Sequence, residues 1–143
     1  MLTSRRFRHG RKGRKDEGSA ALELAVIGPS LFILIFFVIQ VALYFYGRSV
    51  ALQSAREGVS QLRLAPDATS FDVLEPRVTS SVQDFASQVG NGALNGAQMT
   101  ATHDAPYDRV TVTVKGDAIS LVPWMTWTIT QTASGTVEKF RVG

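Results

Sequence analysis

The pattern of apolar and polar positions changes several times along the chain. Residues 24–45 read LAVIGPSLFILIFFVIQVALYF, 22 positions with no charge and only Ser30 and Gln40 as clearly polar side chains. At ~1.5 Å rise per residue, a helix of that length spans roughly 33 Å, about the thickness of a hydrocarbon core. A buried helix of a soluble core is the alternative, but so small a chain could not surround so uniform a helix. The next stretch, GRSVALQSAREGVSQLRLAP, places apolar residues at Val50, Leu52, Ala55, Val59, Leu62 and Leu64. Arg48, Gln53, Arg56, Glu57 and Arg63 lie between them. That spacing is closer to helical than to strand periodicity. One helix is therefore expected from about Ser19 to Leu64, roughly 68 Å long if regular, with Pro66 ending it. Ser19 is the expected cap, with Glu23 in the first turn near the positive end of the helix dipole. Gly28-Pro29 is expected to kink or loosen the early helix, because proline lacks an N–H and crowds the preceding turn.

A second amphipathic segment, SFDVLEPRVTSSVQDFASQVG, repeats Phe71, Leu74, Val78, Val82, Phe85 and Val89 at spacings of three and four. Pro76 suits a first helical turn, so this helix is expected over 77–89, stopped by Gly90-Asn91-Gly92. The texture then becomes that of strands. Residues 108–116, DRVTVTVKG, alternate strictly, with Val110, Val112 and Val114 on one face and Thr111, Thr113 and Lys115 on the other. AQMTATHD alternates weakly, and WTITQTASGTVEKFRV is rich in β-branched and aromatic residues. Three antiparallel strands are expected, at about 97–103, 108–115 and 126–141. Pro123 should keep Leu121 and Val122 out of a central strand, while Trp124 and Met125 are expected to cover the end of the sheet. The fold class is α+β. A long N-terminal transmembrane helix continues into a small exported domain with a second helix and a three-stranded antiparallel sheet.

Charge adds orientation. The net charge is +3, but residues 1–18 alone carry +5, from Arg5, Arg6, Arg8, Arg11, Lys12, Arg14 and Lys15 against Asp16 and Glu17. The remainder is acidic at −2. Such a tail suits nucleic acid or anionic lipid in principle. Its position directly before an apolar helix favours topology instead: basic residues hold that end in the cytoplasm. The chain then has its N-terminus inside and its C-terminal domain outside, with no nucleic-acid partner. The expected division is 1–18, a basic and disordered cytoplasmic leader; 19–46, the transmembrane helix; and 47–143, the exported domain. The chain has no cysteine, so the exported part contains no disulfide, thiolate metal site or thiol nucleophile and holds together by burial or by packing on partners.

Candidate chemistry is sparse. His9 is in the tail and His103 stands beside Asp104, a pairing more typical of a solvated strand end than of a dyad. These two histidines make no metal cluster. No Gly-x-Ser-x-Gly elbow and no phosphate loop occur. Asp104 and Asp108 flank a Pro-Tyr turn, where aspartate is a structural favourite. No enzyme, cofactor or metal is expected. Ser4-Arg5-Arg6 only faintly matches a twin-arginine signal. Ser49-Val50-Ala51 has the small-x-small form of a signal peptidase site, but the apolar run of 22 residues is longer than the ~7–15 of a signal peptide.

The distinctive segment is Gly18 followed by Ser19-Ala20-Ala21-Leu22-Glu23 and then the apolar helix. It resembles a prepilin processing site. In that family a membrane peptidase cuts after a glycine that ends a short basic leader, and a glutamate is the fifth residue of the product. The resemblance implies a cut between Gly18 and Ser19, with Glu23 as that glutamate. The stretch EGSAALELAVIGPSLFILIFFVIQVALYFYGRSVALQSAREGV is similar to the TadE/TadG-like proteins of the tight-adherence (Tad) pilus system over residues 17–60. Those carry a Gly-Ser-x-x-x-Glu-x-Ala start, an early proline (Pro29), an aromatic-rich helix exit and an Ala-Arg-Glu-Gly segment (Ala55, Arg56, Glu57, Gly58). The resemblance implies a minor pilin or pseudopilin whose partners are a prepilin peptidase, other pilin subunits and the Tad membrane assembly platform. It implies a place in the cytoplasmic membrane and then in an extracellular fibre. Ser19 stands where ordinary type IV pilins have an N-methylated phenylalanine, which leaves methylation open.

Physical chemistry bears on Glu23. A carboxylate near the bilayer interior costs roughly 2.5–3.5 kcal/mol on insertion scales. A cut after Gly18 creates an amine on Ser19, four residues before Glu23, and Glu23 of one subunit is expected to pair with the Ser19 amine of a neighbour. The competing arrangement is a hydrated Glu23 at headgroup depth. The alternative to the pilin reading is an unprocessed single-pass protein whose outer domain binds a ligand or partner.

Overall fold

The computed structural model describes residues 14–104 and 108–138, with the backbone alone for 14–17. The elements run α1 (Arg14–Leu62), α2 (Ala68–Gly90), β1 (Leu94–Asp104), β2 (Arg109–Ala118) and β3 (Trp127–Thr136). The expected α+β arrangement is present: a long N-terminal helix, a second helix and a three-stranded antiparallel sheet. The chain divides into two compact units between Val38 and Ile39. The first contains most of the apolar run. The second contains the rest of α1, α2 and the sheet.

Several boundaries differ from expectation. The helix starts at Arg14, so Ser19 lies inside it and does not cap it, Glu23 is its tenth residue and not in the first turn, and residues 14–18 are helical rather than disordered. Residues 1–13 lie outside the described region. Helical structure continues through Gly28 and Pro29. The Ser30 hydroxyl donates to the Val26 carbonyl oxygen at 3.2 Å, as a helical serine does. At the other end α1 stops at Leu62, and the chain turns through Arg63 and Leu64 before Pro66.

Helix α2 begins eight residues before Pro76, at Ala68. The cause is a cap that periodicity did not reveal. Asp67 is extended (φ −148°, ψ 169°), and its carboxylate accepts from the Ser70 N–H at 2.8 Å. The cap fixes the start, and Pro76 is carried inside the helix. At its C-terminus Asn91 takes the left-handed conformation (φ 42°) and donates its N–H to Ser87, which ends the helix as the Gly-Asn-Gly signal indicated.

The strands are ordered β1-β2-β3, each pair antiparallel. Strand β1 starts earlier than expected, and its register shifts between Asn95 and Gln98, where Gly96 has φ +59°. β3 ends at Thr136 instead of running to 141; residues 139–143 lie outside the described region. The strict alternation of β2 determines the packing. Val110, Val112 and Val114 are buried, and their neighbours across the sheet include Met99, Ala101, Ala133 and Gly135. Thr113 faces the other side and meets Thr132, hydroxyl to hydroxyl, at 3.0 Å.

The buried face packs on both helices. Val50, Ala51, Ala55, Val59 and Leu62 supply it from α1, and Phe71, Val78, Val82 and Ala86 from α2. Small residues let α1 approach closely. A Cβ on Gly58 would lie 3.0 Å from Val112 Cγ1, and one on Gly135 of β3 would lie 2.8 Å from Val59 Cγ1. The link between β2 and β3 is the largest departure. Residues 121–124 form bends and turns, which agrees with the effect ascribed to Pro123. Trp124, however, is 85% exposed and Met125 44%, so neither covers the end of the sheet.

Candidate functional site

The candidate processing segment is the first turns of α1. Gly18, Ser19 and Glu23 are all exposed, and the Gly18–Ser19 peptide bond lies within the helix. A Cβ placed on Gly18 meets nothing within 4 Å among the described residues, so no packing contact there demands a glycine. The Glu23 carboxylate makes no hydrogen bond or ion pair with any described residue. Gly28 is half-buried, Pro29 is exposed, and a Cβ on Gly28 also meets nothing within 4 Å. Helical spacing places Ser19 and Glu23 four residues apart, on one face. Arg5, Arg6, Arg8, Arg11 and Lys12 lie outside the described residues, as do the side chains of Arg14 and Lys15.

After Glu23 the helix is apolar and uncovered. Leu31, Phe32, Ile33, Phe36 and Phe37 are each more than half exposed. Among the described residues, one helix is long and apolar enough to cross a membrane, and its apolar window is not buried at all. Exposed aliphatic and aromatic side chains in that number would aggregate in water; in a bilayer they are solvated.

In the second unit, the C-terminal end of the run carries contacts that periodicity alone does not reveal. Gln40 is the key residue. Its Nε2 donates to the Ile119 carbonyl oxygen at 3.2 Å, and its Oε1 accepts from the Leu121 N–H at 2.8 Å. Tyr44 meets Trp127 edge to face, with centroids 6.2 Å apart. The Tyr46 hydroxyl donates to the Val89 carbonyl oxygen at 2.9 Å. The sequence signal for Gln40 was its isolation: an amide in a run without charge has to find partners.

The other polar groups among the described residues have structural partners or are few in number. His103 stacks on Phe71 at 5.5 Å, which gives that imidazole a packing role. No cluster of three potential metal ligands occurs among the described residues. A shallow depression of about 410 Å³ along α2 is lined by Ser80, Ser81, Asp84, Phe85 and Gln88, and contains no nucleophile–base pair.

The elements define a class: one long helix with an uncovered apolar run, followed in the chain by a second helix and a three-stranded antiparallel sheet. Residues 18–60 match the family model described as TadE-like protein, so that segment is similar to TadE-like proteins. The resemblance read from residues 17–60 is thereby borne out. The match begins at Gly18 and takes in Glu23, Pro29, Gly47 and Gly58; the second helix and the sheet lie beyond it. No curated protein and no solved structure matches the chain.

Proposed function

We propose that the protein is a component of a Tad pilus, a minor pilin or pseudopilin held in the cytoplasmic membrane by α1 and processed between Gly18 and Ser19. One observation carries the reading: a TadE-like match that opens on Gly18, with Glu23 five residues on and an uncovered apolar helix behind it. The basic tail keeps the N-terminus inside, where a prepilin peptidase acts, and the α+β domain lies outside.

The local structure supports the reading in two ways. Gly18 has no packing partner among the described residues, so its place in the sequence fits a role in recognition by another protein better than one in packing. The scissile bond follows the first turn of α1, and glycine inside a helix costs about 1 kcal/mol relative to alanine, so the opening turns unwind readily into an extended substrate. After the cut, the Ser19 amine of one subunit pairs with Glu23 of another. The uncovered apolar helices then exchange lipid for one another inside the fibre, together with the Tad assembly platform and other pilins.

The intact mass of the protein isolated from its native membrane tests this. Loss of residues 1–18 is the expected result. A full-length mass in cells with an active peptidase rejects processing and leaves a permanent single-pass anchor.

A further inference from the structure

The loop between β2 and β3 is apolar, uncovered and tied to the membrane helix. Ile119, Leu121, Trp124, Met125 and Trp127 are each between 39% and 85% exposed. No charged residue occurs between Asp117 and Glu138. An exposed patch of this composition normally has an occupant.

Three observations identify that occupant. The first is position. Gln40 holds the loop at both Ile119 and Leu121, and Gln40 lies inside the apolar run, five residues before it ends at Phe45. Five residues of helix are about 7.5 Å, so the loop sits at the level where acyl chains give way to headgroups. The second is the loop's backbone. Ser120 Oγ accepts from the Val122 N–H at 3.1 Å, and Met125 N–H donates to the Val122 carbonyl oxygen at 3.1 Å. With the two bonds to Gln40, these satisfy polar groups that otherwise need water, as a water-poor environment requires. The third is the side-chain set. Trp127 meets Tyr44 edge to face, and the loop adds Trp124, 85% exposed; such amphipathic rings are the composition found at membrane–water interfaces.

We infer that residues 119–127 form an interfacial membrane-docking element, held at the outer boundary of the bilayer by Gln40. It gives the exported domain a second attachment to lipid besides α1. The inference rests on α1 spanning the membrane and is independent of any role in a pilus.

The chain's two tryptophans are both in this element, so intrinsic fluorescence reads it without labelling. The full chain is reconstituted into vesicles of phosphatidylethanolamine and phosphatidylglycerol as the Trp127→Phe variant, which leaves Trp124 as sole emitter and keeps a ring against Tyr44. Resistance to alkaline extraction reports spanning. The expected result is a blue-shifted emission, protected from aqueous iodide. Phosphatidylcholine brominated high in the acyl chain should quench it more strongly than lipid brominated near the chain end. Gln40→Leu, added to this variant, should keep the chain in the membrane but lose quenching and gain iodide access. Emission that is iodide-accessible and unquenched by bromolipid, in a chain that resists extraction, overturns the inference. So does protection from iodide without bromolipid quenching that rises with protein-to-lipid ratio, which marks a contact between copies. Unchanged quenching in Gln40→Leu removes Gln40 from the account. Release by alkali rejects the spanning helix, and the inference with it.

Discussion

Gly47 of α1 lies directly against the backbone of Ala93: a Cβ on Gly47 would fall 2.8 Å from the Ala93 carbonyl oxygen and 3.0 Å from Ile129 Cδ1. The same carbonyl accepts the Ile119 N–H at 3.3 Å. The helix, the entry to β1 and the exit from β2 meet at one point, and the absence of a side chain allows it. Gly47→Ala is expected to destabilise the folded domain. The overpacking cost of about 1–3 kcal/mol outweighs the ~1 kcal/mol that alanine gains in helix propensity, because the obstacle is backbone. Gly58→Ala meets only the side chains of Val112, Val82 and Met99, at 3.0–3.5 Å, and should cost less. Thermal melts of both variants in detergent micelles check the order; equal melting temperatures would refute it.

Ser54 offers the opposite case. It is fully buried on the core face of α1, and its hydroxyl has no hydrogen-bond partner among the described residues. Removing an unpaired buried hydroxyl relieves a desolvation cost, so Ser54→Ala should stabilise the fold by up to about 1 kcal/mol. Denaturant unfolding of the purified chain reads this directly. A clear loss of stability would mean that the hydroxyl has a partner in the native protein, such as an ordered water.

The end of β3 is fastened to α1 by Arg63. Its Nε donates to the Thr136 carbonyl oxygen at 2.9 Å, its Nη2 reaches Glu138 Oε1 at 2.7 Å, and the Glu138 N–H donates to the Arg63 carbonyl oxygen at 3.1 Å. The ion pair is 36% and 47% exposed at its two ends, so Glu138→Gln should cost less than ~1 kcal/mol and should lose its effect in high salt. Arg63→Ala also removes the donor to Thr136 and the stem that packs on Gly135. It should cost more than Glu138→Gln, by about 1 kcal/mol. Melts of both variants at low and high salt separate the two contributions.

The cap of α2 gives a pH dependence. The Ser70 backbone N–H holds the Asp67 carboxyl below the ordinary aspartate range, with a further lowering from the Ser70 side chain. A carboxyl depressed on folding contributes stability that is complete above its unfolded pKa and is lost as the pH falls through the lower folded value. Asp67→Asn keeps a capping oxygen but cannot titrate, so its stability should fall less than wild type in acid. Asp67→Ala should lower stability at neutral pH and also flatten the acid response. Parallel melts across the acidic range test both; identical acid profiles for all three chains would exclude Asp67 as a contributor.

Asp67 also shows where periodicity stops being informative. The valine alternation of β2 and the three–four spacing of α2 were legible because each reports one buried face, and burial acts on every residue of the element. The start of α2 depended on one side-chain oxygen and one N–H, so an apolar pattern could not locate it, and Pro76 pointed to the wrong turn. The site divides similarly. Gly18 and Glu23 stood out because a glycine at that point and an acid beside an apolar run both defy local expectation. Gln40 was equally visible as an isolated amide, but its partners are 79 and 81 residues away in the chain and are backbone groups of a loop. Backbone acceptors have no sequence signature. The exposure of Trp124 was misread for a related reason: composition marks it as apolar without saying whether protein or lipid receives it.

Glu23 is the residue on which the proposed assembly turns, and its variants separate two roles. The carboxylate is exposed in the isolated chain, and the glycine that would release a nearby amine is five residues upstream. If Glu23 serves only as an acid near a helix N-terminus, Glu23→Ala costs a few tenths of a kcal/mol up to about 1 kcal/mol and the protein still functions. If it pairs with the Ser19 amine of a neighbour, the loss is specific. Glu23→Ala inserts at least as well as wild type, since a charge at the edge of the apolar run is removed, and its leader is still cut, but the product stays in the membrane and out of the fibre. Glu23→Gln keeps the shape without the charge and should fail in the same way, which distinguishes an ion pair from a hydrogen bond. Membrane extraction, intact mass and immunodetection in sheared pili follow the three steps separately. Normal incorporation of either variant would reject the pairing while leaving insertion and processing intact.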